Sequence, residues 1–413
     1  MFTTIGGGNM KEIKGKNAVA LVFIDNIDTK ATEQIQQMCN QDFAKEAKIR
    51  IMPDVHAGEG CTIGTTMTVT DKVVPNIVGV DIGCGIYTVK LNTANLDMEK
   101  WDAAAHYIPS GFNVWDTIQE EFDLTQLCCY SELHNLERLA NSLGTLGGGN
   151  HFIEIDKSQN GDYYLVIHSG SRNLGKQVAE IYQRKAVELN RQLVLEKRAE
   201  KKVRLQELRD SIGFPEFLKA EIEKLDKEYS GIKIQKDLCY IYGDVLQQYL
   251  HDIDICQKFA KRNRELMAEK LLKYVGVSGV ESFTTIHNYI NMNEMILRKG
   301  AISAHKGEKV LIPLNMRDGS ILAVGKGNPE WNYSAPHGAG RIMGRMEAKR
   351  TLSMEEYTSL MNGIYTTSVN AGTLDESPMV YKPAQEIIDA IGDTVDVIEV
   401  IKPVYNFKAS DNV

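Results

Sequence analysis

The sequence lacks the segments that would place it in a membrane or carry it across one. Its 413 residues contain no uninterrupted apolar run close to the roughly 18 to 20 residues that a membrane-spanning helix needs. The start of the chain, MFTTIGGGNMKEIKG, lacks the basic-then-apolar pattern of a secretion signal. We therefore expect a cytoplasmic protein with no membrane partner. A hydrophobic content of 43% is enough for one large core or two modest ones.

Cysteine is scarce and irregularly spaced, and positive charge is not in excess. The cysteines lie at positions 39, 61, 84, 128, 129, 239 and 256. An odd and irregular set argues against a disulfide framework, so free thiols are expected, one of them a candidate metal ligand. The formal net charge is −8, so any contact with nucleic acid requires a local basic surface.

Strand and helix patterns alternate along the chain. Short β-branched runs separated by glycine-rich turns predict strands with tight loops over residues 48–93. Residues 97–142 have a helical pattern, and a glycine loop at 144–150 leads into predicted strands at 151–156 and 163–168. Strands resume near Phe283 and continue over 296–325. Gly338 is then predicted to open a helix, and residues 395–401 to form a last strand.

The centre of the chain is long, charged and helix-forming. Residues 176–231 predict a helical hairpin broken at Gly213-Phe214-Pro215, and a third helix is predicted over 238–274. Basic residues are frequent here, in KRAEKKVR at 197–204 and at Lys261, Arg262 and Arg264. They fit either an RNA contact or a solvated helix face, and the solvated face is favoured.

Four of the nine histidines have glycine or small polar neighbours: His151 in GGGNHF, His168 in VIHSGSR, His287 in TIHNYI and His337 in SAPHGAGR. A single histidine is more often a packed core or surface residue than a ligand. Glycine neighbours, however, let a phosphate or metal ion approach the backbone, and a nearby Asn or Ser can orient an imidazole. The four contexts together favour a functional cluster.

A carboxylate and a thiol lie three residues apart in the segment Asp81-Ile82-Gly83-Cys84-Gly85. A turn there can bring both side chains together. Thiolate, imidazole and carboxylate suit a divalent transition ion such as manganese, zinc or iron, and one thiolate can bridge two ions. The paired spacing of structural zinc sites is absent, so an incompletely filled catalytic site is predicted. The other six cysteines are expected to be small buried hydrophobes.

Two glycine-rich segments are candidates for binding phosphate. The loop at 144–150 can cradle phosphates with its amides, although such loops also form plain turns, and neither a Walker A motif nor a GxGxxG fingerprint is present. His337 is predicted to stand at a helix N-terminus, which favours an anion. A neutral imidazole there can attack an α-phosphate, with Arg341 or a distant lysine balancing the pyrophosphate charge. The alternative is a histidine that only caps the helix.

At these residues the sequence resembles the RtcB family of RNA ligases. The resemblance is carried by MPDVHAGEG at 52–60, VGVDIGCGI at 78–86, LGGGNHFIEI at 146–155, IHSGSRNLG at 167–175, HN at 287–288 and HGAGR at 337–341. It implies a single α+β catalytic domain over 1–413 with mixed β-sheets as its core. A long helical insertion within it, at 176–275, separates the strands of His168 and His287.

The resemblance also implies the ligands and the nucleophile. One Mn²⁺ ion would be held by Asp81, Cys84 and His151 and a second by Cys84, His168 and His287, with Cys84 as the bridge. His337 would be the catalytic nucleophile that takes GMP from GTP. The residues implied to contact GTP are Asn150, His151, Phe152, Ile153, Glu154, His287, Asn288, Pro313, Leu314, Asn315, Met316, Ser320, His337, Gly338, Ala339, Gly340, Tyr381 and Lys408.

The implied reaction joins RNA ends. A 2′,3′-cyclic phosphate is opened to a 3′-phosphate, GMP moves from the histidine to that phosphate, and a 5′-hydroxyl attacks to give a 3′,5′ phosphodiester. Departures from the family pattern at 314–316, at 335–336 and at Glu59 suggest a divergent bacterial branch, active in RNA repair or tRNA splicing, with a protein partner as one option. Two alternatives remain: a metal-dependent phosphohydrolase with His337 as an electrophilic helper, and an RNA-binding accessory protein without ligase activity.

Overall fold

The fold is described from a computed structural model that covers residues 10–229 and 235–409. Residue 231, the predicted end of the helical hairpin, lies outside the described residues. Residues 1–9, the first part of the segment that lacks a secretion-signal pattern, also lie outside them. None of the helices in the two described ranges combines the length and the apolar composition that a membrane crossing requires.

Strands and helices alternate through most of the chain, with single 3₁₀ turns between several of them. The strands are β1 Lys11–Lys14, β2 Val19–Val22, β3 Ile49–His56, β4 Ile63–Thr68, β5 Lys72–Val73, β6 Gly85–Leu91, β7 Phe152–Lys157, β8 Tyr163–Ser169, β9 Ile241–Tyr242, β10 Gly279–Ile286, β11 Asn288–Asn291, β12 Ile296–Lys299, β13 Ala301–Ser303, β14 Lys309–Asn315, β15 Gly319–Gly325, β16 Ser334–Pro336, β17 Tyr365–Thr366 and β18 Val395–Lys408. The helices are α1 Thr29–Cys39, α2 Pro75–Val78, α3 Met98–Tyr107, α4 Leu136–Ala140, α5 Arg172–Ser211, α6 Pro215–Glu228, α7 Gly243–Val275, α8 Arg345–Thr351, α9 Met354–Leu360 and α10 Ala384–Ala390.

Two mixed sheets form the core. The first has the strand order β1-β2-β3-β4-β12-β11, and only its β2–β3 pair is parallel among the pairs described. The second runs β10-β6-β8-β7-β18-β15-β14, and β17 adds to β18 in parallel. The predicted α+β class with mixed sheets is therefore confirmed. Because β10 ends at residue 286 and β11 begins at 288, the two sheets meet at His287.

Helix α7 joins the cores that lie against the two sheets. Side chains from its first two-thirds, including Ile253 and Phe259, belong to the hydrophobic cluster around the first sheet. Side chains from its last third, including Met267 and Leu271, belong to the cluster under the second sheet. Each fully buried side chain of this size contributes about 1.5 to 3 kcal/mol through apolar burial. The helix therefore fixes the two sheets relative to each other.

The helical hairpin is confirmed, with α5 and α6 separated by a break at 212–214. Ion pairs cross it, from Lys201 to Asp226 and from Arg204 to Glu228. In α7, Arg262 pairs with Glu120, at 2.6 Å. Lys261 also pairs, with Glu265, whereas Arg264 is fully buried. The solvated-face interpretation is therefore wrong for Arg264 and stays a prediction for the other basic residues. The assignment of 176–275 as an insertion stays a prediction.

The helical prediction over residues 97–142 is wrong for its middle part. Helix α3 ends before Pro109, whose ring disfavours a helical conformation in the preceding Ile108. Beyond it, Asp123 binds the N–H of Thr125 at 2.9 Å in a local turn that competes with a helix. Irregular chain and 3₁₀ turns therefore occupy most of the segment, up to the short helix α4.

The prediction that Gly338 opens a helix is also wrong, because α8 begins at Arg345. Gly340 has a φ of +76°, in the left-handed region that glycine tolerates best. A Cβ atom at this position would lie 2.5 Å from the backbone oxygen of Asp54. Gly340 thus allows a close approach to strand β3, and His337 does not stand at a helix N-terminus.

The cysteines are unpaired, as predicted, and six of the seven are buried. Cys128 is exposed, so the expectation that every cysteine other than Cys84 is a buried hydrophobe is wrong for this residue. It lies in the irregular segment between α3 and α4.

We predict that Asn263→Ala destabilises the protein. The fully buried Asn263 amide accepts hydrogen bonds from the N–H groups of Gly144 and Thr145, at 2.7 and 3.0 Å, and donates to Thr145, Ser169 and Gly170. Removing it leaves buried backbone groups unpaired, at a cost of about 2 kcal/mol or more in the free energy of unfolding. Urea denaturation measures this. The exposed Asn95→Ala should change stability by less than about 0.5 kcal/mol, and equal midpoints for the two variants would contradict the prediction.

Candidate functional site

A cavity of about 1030 Å³ opens where the ends of both sheets meet. It is large enough for a nucleotide, since ligand pockets commonly measure about 300 to 1,000 Å³. Its wall includes Asp81, Cys84, His168, His287 and His337. The residues predicted from separate motifs therefore converge on one space.

The register of the second sheet explains the convergence. His168 in β8 lies opposite Ile86 in β6 and opposite Phe152 in β7. Cys84 lies directly before the first residue of β6, and His151 lies directly before the first residue of β7. The two residues therefore flank His168 from both sides. Asp81 joins them through a turn in which the Cys84 N–H donates to the Asp81 carbonyl at 3.2 Å. The predicted turn over 81–85 is thus present.

The donor atoms of this cluster lie close together. Cys84 Sγ is 3.4 Å from His151 Nε2 and 3.3 Å from His168 Nε2, and His151 Nε2 is 3.0 Å from Asp81 Oδ2. The His287 ring follows at a centroid distance of 5.1 Å from His168. All five predicted ligands therefore surround one end of the cavity.

Backbone carbonyls fix the tautomers of two of these rings. His151 Nδ1 donates to the carbonyl of Leu146 at 2.9 Å, and His168 Nδ1 donates to that of Asn150 at 3.1 Å. Because a carbonyl can only accept, Nδ1 carries a proton in both rings, and their Nε2 atoms face the Cys84 sulfur. Orientation of this kind is typical of metal-ligating histidines.

The protonation states also suit a metal ion. Burial, together with the neighbouring imidazoles, holds the pKa of His168 and of His287 well below the ordinary value, so both are neutral ligands at pH 7. Burial, followed by the negative charge of Asp81, raises the pKa of the Cys84 thiol well above its ordinary value. A bound divalent cation reverses this preference by stabilising the thiolate. Lone pairs of sulfur, nitrogen and oxygen converge here, and the residues present fit a transition-metal ion.

His337 lies next to this cluster and is held by a buried carboxylate. Its Nδ1 donates to Asp54 Oδ2 at 2.6 Å, and its backbone N–H reaches the same oxygen at 3.1 Å. Its ring centroid is 4.8 Å from that of His287. Asp54 is fully buried, whereas 20% of the His337 side chain is exposed. The pair leaves His337 Nε2 with a free lone pair, which is the arrangement of an activated nucleophile.

The glycine loop at 144–150 holds an arginine in place. Arg172 has a φ of +58°, which is unusual for a residue with a side chain. Its guanidinium occupies the space beside Gly147, where a Cβ atom would lie only 1.8 Å from Arg172 NH1. The same NH1 atom lies 3.4 Å from His151 Nδ1. Glycine is required at 147 for this packing. The phosphate-cradling role of the loop stays a prediction.

A group of charged side chains also lines the cavity. Glu376 accepts hydrogen bonds from Tyr381 Oη at 2.7 Å, Lys408 Nζ at 3.0 Å and Arg341 NH1 at 3.2 Å. Burial alone would raise the pKa of Glu376, but Lys408, Arg345 and Arg341 outweigh it and lower the pKa to about 2. The carboxylate therefore stays ionised, and it fixes Tyr381 and Lys408 at the cavity wall.

Most of the residues predicted to contact a nucleotide line the cavity, and three do not. His151 lies behind Asp81 and Cys84. Ile153 packs into the core under the second sheet, because strand side chains alternate and its neighbours Phe152 and Glu154 take the other face. Ser320 is fully buried in β15. The predicted residues that line the cavity are Asn150, Phe152, Glu154, His287, Asn288, Pro313, Leu314, Asn315, Met316, His337, Gly338, Ala339, Gly340, Tyr381 and Lys408.

The sequence interpretation missed Asp54 and Glu376, the two carboxylates that position His337 and Tyr381. Asp54 had a detectable signal, because it is the one acidic residue in the mainly apolar strand IRIMPDVH, whose other charged residue is Arg50. Burial of an aspartate in such a strand requires a partner. Glu376 lies in a 3₁₀ turn without regular spacing, and no pattern in the sequence indicates its partners.

Comparison with known proteins extends the motif resemblance to most of the chain. The profile of a family described as tRNA-splicing ligase RtcB matches residues 34–128 and 116–409. The chain is 28% identical to the RNA-splicing ligase RtcB of Escherichia coli over 401 residues, which cover 86% of this chain and 88% of that protein. It is 26% identical to the tRNA-splicing ligase RtcB of Aeropyrum pernix over 433 residues, which cover 82% of each chain.

We predict that Cys84→Ala weakens binding of divalent transition-metal ions at least about tenfold, because it removes the donor that lies between the two histidines. Titration calorimetry of the metal-depleted protein with Mn²⁺ measures the affinity. Cys39→Ala, which removes a fully buried cysteine from the core around the first sheet, is the matched control and should bind like the unmodified protein. Equal affinities for Cys84→Ala and the control would refute the metal assignment.

Proposed function

Because this chain belongs to the RtcB family, we propose that it is an RNA ligase that joins a 3′-phosphate or 2′,3′-cyclic phosphate end to a 5′-hydroxyl end with GTP as co-substrate. The observation that carries the proposal is the position of His337. Its ring is oriented by Asp54, at 2.6 Å, and lies in the same cavity as the thiol and imidazole cluster. A nucleophile and a metal-binding cluster are the two elements that nucleotidyl transfer requires.

In the first step His337 takes the nucleotide. Nε2 attacks the α-phosphorus of GTP, an N–P bond forms, and the bond from that phosphorus to the bridging oxygen breaks as pyrophosphate leaves with the electron pair. Asp54 keeps the Nδ1 proton and balances the positive charge that develops on the ring. The fixed hydrogen bond positions the imidazole before substrate arrives, which reduces the entropic cost of the attack.

We propose that this donor cluster would hold two Mn²⁺ ions, one through Asp81, Cys84 and His151 and the other through Cys84, His168 and His287. When bound, such ions supply Lewis-acid neutralisation of phosphate charge. Arg341 and Lys408 add fixed positive charge on the wall of the cavity. Both kinds of charge favour a triphosphate over a neutral ligand.

The guanine end of the nucleotide is proposed to lie against Tyr381. The hydrogen bond from its hydroxyl to Glu376 fixes the ring at the cavity wall, where an aromatic face can stack on a base. Lys408 is held by the same carboxylate. The proposed preference for guanine over adenine is supported by the family membership and not by a contact in the cavity.

The remaining steps complete the joining of the RNA ends. A cyclic phosphate is first hydrolysed to a 3′-phosphate. An oxygen of that phosphate then attacks the guanylate phosphorus, the N–P bond breaks and His337 is regenerated. Finally the 5′-hydroxyl oxygen attacks the RNA phosphorus, forming the 3′,5′ diester and releasing GMP. The two proposed biological roles are the repair of broken RNA and the splicing of tRNA. In either role the protein is proposed to act with a partner protein as one option.

We predict that protein incubated with α-labelled GTP and Mn²⁺ gains an acid-labile guanylate that is absent from His337→Ala. His305→Ala is the matched control, because His305 is a partly exposed histidine outside the cavity wall, and it should be labelled fully. Labelling of His337→Ala would remove the nucleophile assignment, and equal labelling by ATP would remove the preference for GTP. Phosphate release without any adduct would favour the phosphohydrolase.

The same protein tests the accessory-protein alternative. We expect an RNA nick with 3′-phosphate and 5′-hydroxyl ends to be sealed by the unmodified chain and by Cys39→Ala, but not by Cys84→Ala. RNA binding without sealing in all three proteins would support a non-catalytic RNA-binding protein.

We predict that Asp54→Asn slows formation of the guanylate by about 10²-fold or more, because the amide no longer fixes the Nδ1-protonated tautomer or balances the ring charge. The rate is followed by the same labelling under single-turnover conditions. Mn²⁺ affinity should stay within about twofold of the unmodified protein, since Asp54 is not among the proposed ligands. An unchanged labelling rate would show that Asp54 has only a structural role.

A further inference from the structure

A second group of metal-type donors lies outside the cavity, between the irregular segment after α3 and the first half of α7. Its members are Cys128, His251 and Asp252. His251 Nδ1 is 3.8 Å from Cys128 Sγ and 3.2 Å from Asp252 Oδ1. The three donor atoms lie within 4.8 Å of one another, although 123 positions of sequence separate Cys128 from His251.

The carboxylate of this group is held in a fixed position. Asp252 is fully buried and accepts hydrogen bonds from the backbone N–H groups of Cys128 at 2.7 Å and Cys129 at 3.0 Å. It also accepts one from Tyr182 Oη, at 2.8 Å. An anchored carboxylate loses little conformational entropy when a cation binds, so this group is partly organised for a ligand.

The other two donors are accessible from solvent. Cys128 is exposed, and 53% of the His251 side chain is exposed. The nearby cation Lys185 pairs with Glu132 at 2.8 Å, so its charge is largely compensated where an incoming metal ion would approach. An ion can therefore reach the group without a change in the fold.

We propose that Cys128, His251 and Asp252 bind a zinc ion at a site separate from the cluster around Cys84. Thiolate, imidazole and carboxylate are the ligands that Zn²⁺ accepts, and a water molecule completes a tetrahedral set. Tetrahedral coordination with bonds of about 2.0 to 2.3 Å places the donors roughly 3.3 to 3.6 Å apart. The distances of 3.2 and 3.8 Å are close to this range.

The protonation of the Cys128 thiol is consistent with a ligand that becomes a thiolate only when a metal ion binds. Partial desolvation by the surrounding protein, followed by the negative charge of Asp252, raises the pKa of the Cys128 thiol, so the thiol is protonated in the absence of metal. Zinc binding releases that proton and forms the thiolate, as is general for cysteine ligands. The ion would then connect the segment between α3 and α4 to α7, in a part of the chain that has little regular structure of its own.

Alkylation of Cys128 tests the proposal on the full-length, metal-depleted protein. The rate of reaction with iodoacetamide is followed at each cysteine by peptide mass spectrometry, with and without Zn²⁺. We expect Zn²⁺ to slow alkylation of Cys128 about tenfold, because the metal-bound thiolate is shielded. In His251→Gln the protection should fall below about twofold. His134→Gln, which changes an exposed histidine outside the group, should keep full protection.

Two results would overturn the proposal: alkylation of Cys128 that is unaffected by Zn²⁺ in the unmodified protein, or equal protection in His251→Gln. Mn²⁺ at the same concentration should change the rate less than about twofold, since a given set of nitrogen, oxygen and sulfur donors binds Mn²⁺ much more weakly than Zn²⁺. Equal protection by Mn²⁺ would overturn the choice of zinc. Because the readout is the reactivity of Cys128, its outcome is independent of the proposed ligase activity.

Discussion

The pairing of β8 with β6 on one side and with β7 on the other is the constraint on which the site depends. It places His168 between the residues that precede the two neighbouring strands, Cys84 and His151. A slip of one residue in either pairing would turn His168 to the opposite face of the sheet. The fully buried Asn263 and Arg264 of α7 bind backbone groups at the ends of these strands. Helix α7 therefore stabilises the register that the chemistry requires.

The grouping of one carboxylate, one thiol and four imidazoles in space was the part of the site that the sequence predicted best. Asp81, Cys84 and the four histidines lie in short segments whose glycines and small polar residues are visible without knowledge of the fold. Central strands were also predicted close to their limits, because β-branched alternation and a glycine loop mark β7 and β8. Local chemistry of this kind is carried by neighbouring residues, and it therefore survives in a one-dimensional pattern.

The errors arose where the conformation depends on distant residues. The glycines after His337 indicate a helix start when they are considered alone, but Gly340 is required because Asp54, from β3, packs against it. In the same way, residues 97–142 have helix-forming composition, yet the N–H groups of Cys128 and Cys129 are bound by Asp252 of α7. Such partners lie more than a hundred positions away, and no local pattern contains them. Asp54 was missed for the same reason, since its role exists only beside His337.

Helix α7 carries both the proposed zinc group and the residues that support the catalytic cluster. Asp252 and Asn263 are separated by about 17 Å along the helix axis, at 1.5 Å per residue. Between them the helix is unbroken and packs Ile253, Cys256 and Phe259 into the core around the first sheet. Coupling between sites requires an element with two states that both ligands bias. A zinc ion at Asp252 would therefore stabilise the segment between α3 and α4 and the fold around α7, and it would leave the geometry at His337 unchanged.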